Sequence, residues 1–405
     1  MPLTLARLAR WCGALLCVAL LAACHRAPPL PDAHDVYIWQ RAWRPALGDA
    51  ITGAADLVRQ WRVLAAEVAP DGRLQAMTVD AAMLARAARP VVMVVRIDGQ
   101  LATLDEAALV RQIAALHARW RDKGPAPAGL EIDHDCGLAR LPGYAAFLAR
   151  LRAALPAGTA LSITALPAWL ESPLALEAVL AQADEAVLQV HAVKQPRLGL
   201  FDAEQARRWA AAFGARTTRP FRIALPTYGS RVSFDAFGNL AAVESEGPAL
   251  AQHDEQHELS VAPSAVAALL ARLKKDPPPH LQGWVWFRLP TAEDRRAWQL
   301  QTWRAVVQAR PLAPAPALQW RAGAEAGLYD VVLANAAALD AELPPVVYAP
   351  QHCALADARG GYQLHRQPDR WQFLRPRAGL LPPRSELVIG WLRCDIPPTP
   401  PHAPA

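Results

Sequence analysis

What the chain has little of narrows it first. Cysteine is scarce, six in 405 residues, and two of those, Cys12 and Cys17, fall in the first apolar stretch. That stretch, Cys12 to Ala22, is too short to span a bilayer. No basic run occurs, and the formal charge of +5 is too weak a balance to argue for nucleic acid. No glycine-rich phosphate loop follows the first strand-like run, which argues against an open, doubly wound dinucleotide fold. Composition is otherwise that of a globular protein long enough for one large domain and a small one.

Arg7 and Arg10 precede the apolar run, as in a signal peptide. The run ends in Leu21-Ala22-Ala23-Cys24, which resembles a bacterial lipobox. The expectation is a signal peptide over 1–23, lipid on Cys24 and a tether over 24–34. His25 stands where an Asp would resemble an inner-membrane retention signal, so the expected address is the outer membrane, facing the periplasm. Loss of the leader lowers the formal charge from +5 to +3. That compartment is oxidising. Cys353 and Cys394 are therefore expected to pair, stabilising by about 4 kcal/mol on the loop-closure estimate, with Cys136 left as a free thiol.

From Val36 to about Arg310, short β-branched runs alternate with longer amphipathic stretches. Strands are expected at Val36–Trp39, Arg62–Val68, Val91–Arg96, Gly129–Asp133, Ala160–Thr164, Ala186–His191, Phe221–Leu225 and Gly283–Phe287. Helices such as Leu104–Arg121, Tyr144–Leu155, Ala203–Ala212 and Pro263–Leu273 lie between them. Eight such units predict an α/β fold, a (β/α)8 TIM barrel over 35–310. After a linker at Pro311 to Pro316, short alternating runs predict a small β-rich C-terminal domain over 318–395, then a disordered tail over 396–405.

In such a barrel the chemistry sits where strands end. Those ends carry Trp39, Arg96, Gln189, His191, Tyr228, Trp286 and Arg288, a set of aromatics and hydrogen-bonding groups suited to sugar. The densest acids lie in Gly129-Leu130-Glu131-Ile132-Asp133-His134-Asp135, where alternation sends Glu131, Asp133 and Asp135 to one side. Crowded carboxyls repel, so at least one pKa should rise, leaving a proton donor beside an ionised partner. Glycosidic cleavage, a structural role and a cation site are all open on this pattern alone.

This fourth strand resembles the Asp-x-Asp-x-Glu signature of family 18 glycoside hydrolases, the chitinase-like enzymes. Glu131 and Asp133 match the two aspartates, and Asp135 the proton-donating glutamate. Ile223-Ala224-Leu225-Pro226-Thr227-Tyr228-Gly229 is similar to their seventh strand, and Gly283-Trp284-Val285-Trp286 to their eighth, which closes with a Trp under the sugar. With Val36-Tyr37-Ile38-Trp39-Gln40 and Trp391-Leu392-Arg393-Cys394, the chain also resembles a family of bacterial lipoproteins defined only as a domain of unknown function. The resemblance implies Asp135 as general acid, Asp133 as its partner, and Tyr228 and Trp286 as sugar-positioning groups. Three departures stand beside it. Asp135 is one methylene shorter than glutamate. Arg96-Ile97-Asp98-Gly99 replaces the third-strand Ser-x-Gly-Gly, and His191 after Gln189 replaces the sixth-strand Tyr-Asp pair that would hold an acetamide.

A long connection from Gly229 to Ala262 follows the seventh strand. Arg231–Phe234 and Leu240–Val243 read as a hairpin over the mouth, bringing Glu244 and Glu246 near it. His253 and His257, if helical, share one face, but no third ligand stands at a telling distance and a solvated loop is the plainer expectation. No metal site and no cofactor are expected. The expected function is a glycoside-hydrolase-like lipoprotein acting on an envelope or extracellular polysaccharide, its partners being that glycan and, through Cys24, the membrane, with no nucleic acid. The alternative is a non-catalytic lipoprotein that binds glycan or protein with the same mouth.

Overall fold

The computed structural model describes residues 32–99, 105–191, 199–237, 240–244, 255–350, 353–368 and 370–395. The expected signal peptide, Cys24, Glu246, His253 and the tail lie outside these. The chain opens with β1 (His34–Ile38), α1 (Pro45–Ala54), β2 (Val58–Val68), β3 (Leu74–Ala76), α2 (Ala81–Ala87), β4 (Val91–Ile97), α3 (Glu106–Lys123) and β5 (Gly129–His134). It continues with α4 (Leu141–Ala154), β6 (Leu161–Ala165), α5 (Pro173–Leu180), β7 (Glu185–Gln189), α6 (Ala203–Gly214) and β8 (Phe221–Pro226). Three short strands, β9 (Ser230–Phe234), β10 (Leu240–Glu244) and β11 (Glu255–Leu259), precede α7 (Pro263–Lys275), β12 (Leu281–Phe287) and α8 (Leu300–Val307).

Eight of these strands run parallel in the order β1, β12, β8, β7, β6, β5, β4, β2, and β1 pairs with β2 to close the ring. Both strand faces are buried, which is why β4 reads Val-Val-Met-Val-Val with no polar alternation. Outward residues such as Met93, Val95, Ile132, Ile163 and Trp284 pack with the helices in one large cluster. Inward residues Tyr37, Leu64, Val94, Val187, Ala224 and Val285 form a separate, smaller one. Of the fourteen tryptophans, Trp61, Trp169, Trp284, Trp286, Trp298 and Trp303 are completely buried, so much of the aromatic content is core.

The long connection after β8 holds the expected hairpin of β9 and β10, and a third strand, β11, pairs with the other edge of β9. His257 is thus in a strand, opposite Val232 and against Phe234, and not in a helix or a solvated loop. The expectation failed because the partner that makes Glu255–Leu259 a strand lies more than twenty residues earlier in the chain.

The C-terminal part comprises β13 (Ala317–Ala322), β14 (Leu328–Asn335), β15 (Ala341–Glu342), β16 (Val346–Pro350), β17 (Cys353–Ala358), β18 (Gln363–Arg366), β19 (Arg370–Leu374), β20 (Leu380–Leu381) and β21 (Ser385–Cys394). A four-stranded sheet in the order β13, β14, β21, β17 and a three-stranded one in the order β16, β19, β18 enclose Val331, Leu333, Phe373, Ile389 and Leu392. A disulfide joins Cys353 to Cys394 at paired positions of β17 and β21. Cys136 is free and buried.

This β-rich part completes two barrel helices. Asp80, Asp105 and Asp202 cap α2, α3 and α6 from their own segments. Neither α7 nor α8 has a side-chain cap of its own. Glu342 instead accepts from the Ser264 backbone N–H at 2.8 Å and from its hydroxyl at 2.9 Å. Asp340 accepts from the Gln299 N–H at 2.7 Å, while the Asp340 N–H donates to the Thr302 hydroxyl at 2.9 Å. One backbone N–H at each of these helix starts is met by an acidic side chain from outside the barrel, at the end of the helix dipole that favours negative charge.

Candidate functional site at the barrel mouth

Alternation along the eight strands sorts the interior into layers. The floor is ionic. Asp35 of β1, Arg62 of β2, Glu131 of β5, Glu185 of β7 and Arg222 of β8 all turn inward. Arg62, 1% exposed, reaches Asp35 at 2.9 Å and Glu185 at 2.5 Å and makes a close ion pair with Glu131. Arg222 holds Glu185 at 2.8 Å, and Arg59 forks onto Asp35 at 2.8 and 2.7 Å. Burial alone would raise the Asp35 carboxyl, but the Arg62, Arg222 and Arg59 guanidiniums outweigh it and hold the group below the ordinary range. Glu131 also accepts from the Tyr37 hydroxyl at 2.6 Å and from Ser162 at 3.1 Å.

Glu131 therefore belongs to the floor, and its expected place in the catalytic group is corrected. Both oxygens are engaged and the residue is completely buried. Two residues further along β5, the same strand face meets a different environment. Asp133 is 5% exposed and accepts at Oδ1 from Thr164 at 2.7 Å and from Gln189 at 3.1 Å. Oδ2 takes no hydrogen bond among the described residues. Burial, then the nearby Asp135, push the Asp133 carboxyl up to about 7 against the pull of Thr164 and Arg96. Asp135 stands past the end of β5 with solvent access. The protein around its base still raises its carboxyl, with Arg96 the main opposing influence. Gly99, just after β4, lies on the Asp135 backbone, since a Cβ there would come within 1.7 Å of the Asp135 carbonyl oxygen. Glycine permits that approach.

Aromatic rings line the side opposite β5. Phe287 meets Trp39 at 5.1 Å, Tyr228 at 5.3 Å and Tyr37 at 5.7 Å, and stacks on His191 at 5.3 Å. His191 Nδ1 lies 3.2 Å from the Tyr228 hydroxyl, and burial lowers the imidazole to about 4. The structure thus brings together Asp133, Asp135, Gln189, His191, Tyr228 and Trp39. Arg96 is at their edge, 3.5 Å from Glu67, which Arg41 also binds at 2.7 Å.

Besides Glu131, two expected site residues do not join them. Trp286 points outward, completely buried between strand and helices, donating to His34 Nδ1 at 3.0 Å and lying against Trp298 and Trp303. It cannot stack on a sugar. Strand parity makes Phe287, its neighbour, the mouth residue instead. Arg288 is 3% exposed, and its guanidinium makes a close ion pair with Asp294. Phe287 and Tyr37 were missed although parity within Gly283–Phe287 and Val36–Trp39 pointed to both. Arg62, just ahead of the apolar run Val63–Ala66, and Arg222, the lone charge in Phe221–Leu225, were the signal for the floor.

The chain over residues 87–292 matches the family model described as Domain of unknown function (DUF3142), and residues 318–395 match Domain of unknown function (DUF8456). No curated protein matches the sequence. Among solved structures, the spore cortex-lytic enzyme SleL of Bacillus cereus is 14% identical, with 69% of this chain and 74% of that chain covered at a TM-score of 0.51. A chitinase of Chromobacterium violaceum is 14% identical, covering 68% and 98% at 0.48. The GH18 chitinase ChiB of Flavobacterium johnsoniae is 12% identical, covering 69% and 95% at 0.46. The likeness to SleL shows a shared barrel fold. Just over half of the chain is matched by the first model, across β4 to β12, and the protein belongs to the DUF3142 family.

Proposed function

We propose that this protein hydrolyses a glycan at the barrel mouth, with Asp135 as the proton donor and Asp133 as its partner. The observation that carries this is the pair itself: β5 delivers two carboxyls to the mouth, one buried and holding its proton to about pH 7, the other open to solvent. Such a pair titrates as a unit, so a proton is available beside an ionisable neighbour near neutrality. In the reaction the glycosidic C–O bond breaks as Asp135 gives its proton to the leaving oxygen. Water then adds its hydroxyl to the anomeric carbon and returns a proton to the carboxyl pair. Thr164 and Gln189 hold Asp133 in place, and Trp39, Tyr228 and Phe287 offer apolar ring surface to a sugar. The barrel resemblance to chitinase-like enzymes supports a polysaccharide as the substrate class. The lipobox-like segment supports attachment through Cys24 to the outer membrane, facing the periplasm; radiolabelled palmitate incorporation lost in Cys24→Ser would establish the lipidation, and separation of inner- and outer-membrane fractions the address.

A second reading, a lipoprotein that binds glycan or protein without turnover, is favoured by the tightness of the mouth. Asp133, Trp39, His191 and Tyr228 are each less than a tenth exposed, and Arg288 is spent on Asp294. The two separate on turnover of a panel of envelope and exopolysaccharide glycans by the mature chain and its Asp135→Asn variant. Cleavage abolished by the substitution establishes the hydrolase and its acid. Glycan binding without cleavage in either protein establishes the binder.

A further inference from the structure

His191 lies just past the end of β7, two residues beyond Gln189 and on the same inward side. It is 7% exposed, stacked on Phe287 at 5.3 Å and 22°, with the Tyr228 ring edge-on at 5.6 Å. Nδ1 is served by the Tyr228 hydroxyl. Nε2 is buried and has no hydrogen-bond partner among the described residues. Buried polar atoms are nearly always satisfied, so an unmet one at the mouth of a barrel marks a place for a ligand atom. Among the described neighbours, Phe287 carries no polar group, and the Gln189 side-chain NH2 donates to Asp133.

We infer that His191 is the residue through which the mouth reads an uncharged hydrogen-bonding substituent, a hydroxyl or an amide, of a sugar bound beside Asp133. The inference rests on the mouth being a glycan site. Its sign follows from the surroundings. Burial keeps the imidazole neutral at ordinary pH, so the ring meets its ligand as a dipole and not as a cation. A carboxylate placed against it among aromatic rings would lose its hydration without gaining a counter-charge. Arg288 makes a close ion pair with Asp294, and Arg96, 3.5 Å from Glu67, already faces Asp133 and Asp135. A neutral imidazole either donates or accepts at Nε2, according to its tautomer, and hydroxyl and amide groups match both.

Calorimetric titration of the Asp135→Asn protein, which binds without turnover, tests this with cello- and chito-oligosaccharides against oligogalacturonate. Neutral chains should bind in preference to the uronate. His191→Phe in that background should weaken neutral binding roughly tenfold to a hundredfold at an unchanged thermal midpoint, and His191→Gln should recover part of the loss. His191→Leu replaces the Phe variant if the larger ring unfolds the mouth. Preference for the uronate, neutral binding indifferent to loss of the imidazole, or no neutral binding at all would each overturn the inference. Binding without cleavage by the unmodified chain would sink the hydrolase reading and leave this one standing. Cleavage indifferent to His191 would sink this one alone.

Discussion

Glu131 and Asp133 are two residues apart on one strand, face the same barrel interior and meet opposite fates. At the floor, three acids, Asp35, Glu131 and Glu185, share the guanidiniums of Arg59, Arg62 and Arg222, and burial is compensated by charge. At the mouth, Asp133 is as deeply enclosed but is met by a hydroxyl and an amide, and a second acid stands nearby. The same low-dielectric interior therefore holds the Asp35 carboxyl below the ordinary range and pushes the Asp133 carboxyl above it. A barrel interior is not one environment. The sign of a pKa shift there depends on what the neighbouring strands place at the same height.

The contrast is easiest to break at Arg62. Arg62→Met leaves Asp35, Glu131 and Glu185 short of a counter-charge and should cost about 3–5 kcal/mol, read as a loss of the urea midpoint or failure to fold. Asp133→Asn acts in the opposite sense. The folded Asp133 carboxyl titrates at about 7, above its unfolded value, so its contribution is fully present below about pH 4 and is lost as pH rises to about 7. The Asn variant should therefore flatten the stability slope between those pH values and be a few kcal/mol more stable than the parent at pH 8, by chemical denaturation across pH. Asp35, held low, works the other way, and its contribution disappears only as pH falls below the ordinary carboxylate range. A variant less stable at pH 8 than the parent would show that the mouth, too, depends on an ionised acid.

Smaller changes sharpen the comparison. Glu185→Gln keeps the shape of the floor but removes one charge held by both Arg62 and Arg222, and should cost about 1–2 kcal/mol in the same denaturation assay. Gln189→Leu removes one donor from Asp133 Oδ1 and should move its titration slightly further upward, followed by carboxyl carbon NMR, with little change in stability.

Much of the fold was readable because it is a local signal repeated eight times. Runs such as Val91-Val92-Met93-Val94-Val95 and Leu130-Glu131-Ile132 place strands within a residue or two of β4 and β5, and the amphipathic stretches between them place the helices. The candidate site was readable where strand ends carry polar residues, as at Asp133, Asp135, Gln189 and His191. It was misread at Trp286, where resemblance to another family's eighth strand overrode a period of two that favours Phe287. In the C-terminal part, β13 and β17 are half-exposed, and each is held by its partner, β14 or β21.

By itself, the sequence determined the parallel barrel, the β-rich appendage and the convergence of acids on the fourth strand, because hydrophobic period and strand parity are properties of neighbouring residues. Only the tertiary structure decided which acid meets a counter-charge. That depends on Arg62, sixty-nine residues from Glu131 in sequence yet in contact with it, and on Thr164 and Gln189 standing at the height of Asp133. Closure of the ring sets those heights, and no local pattern encodes them.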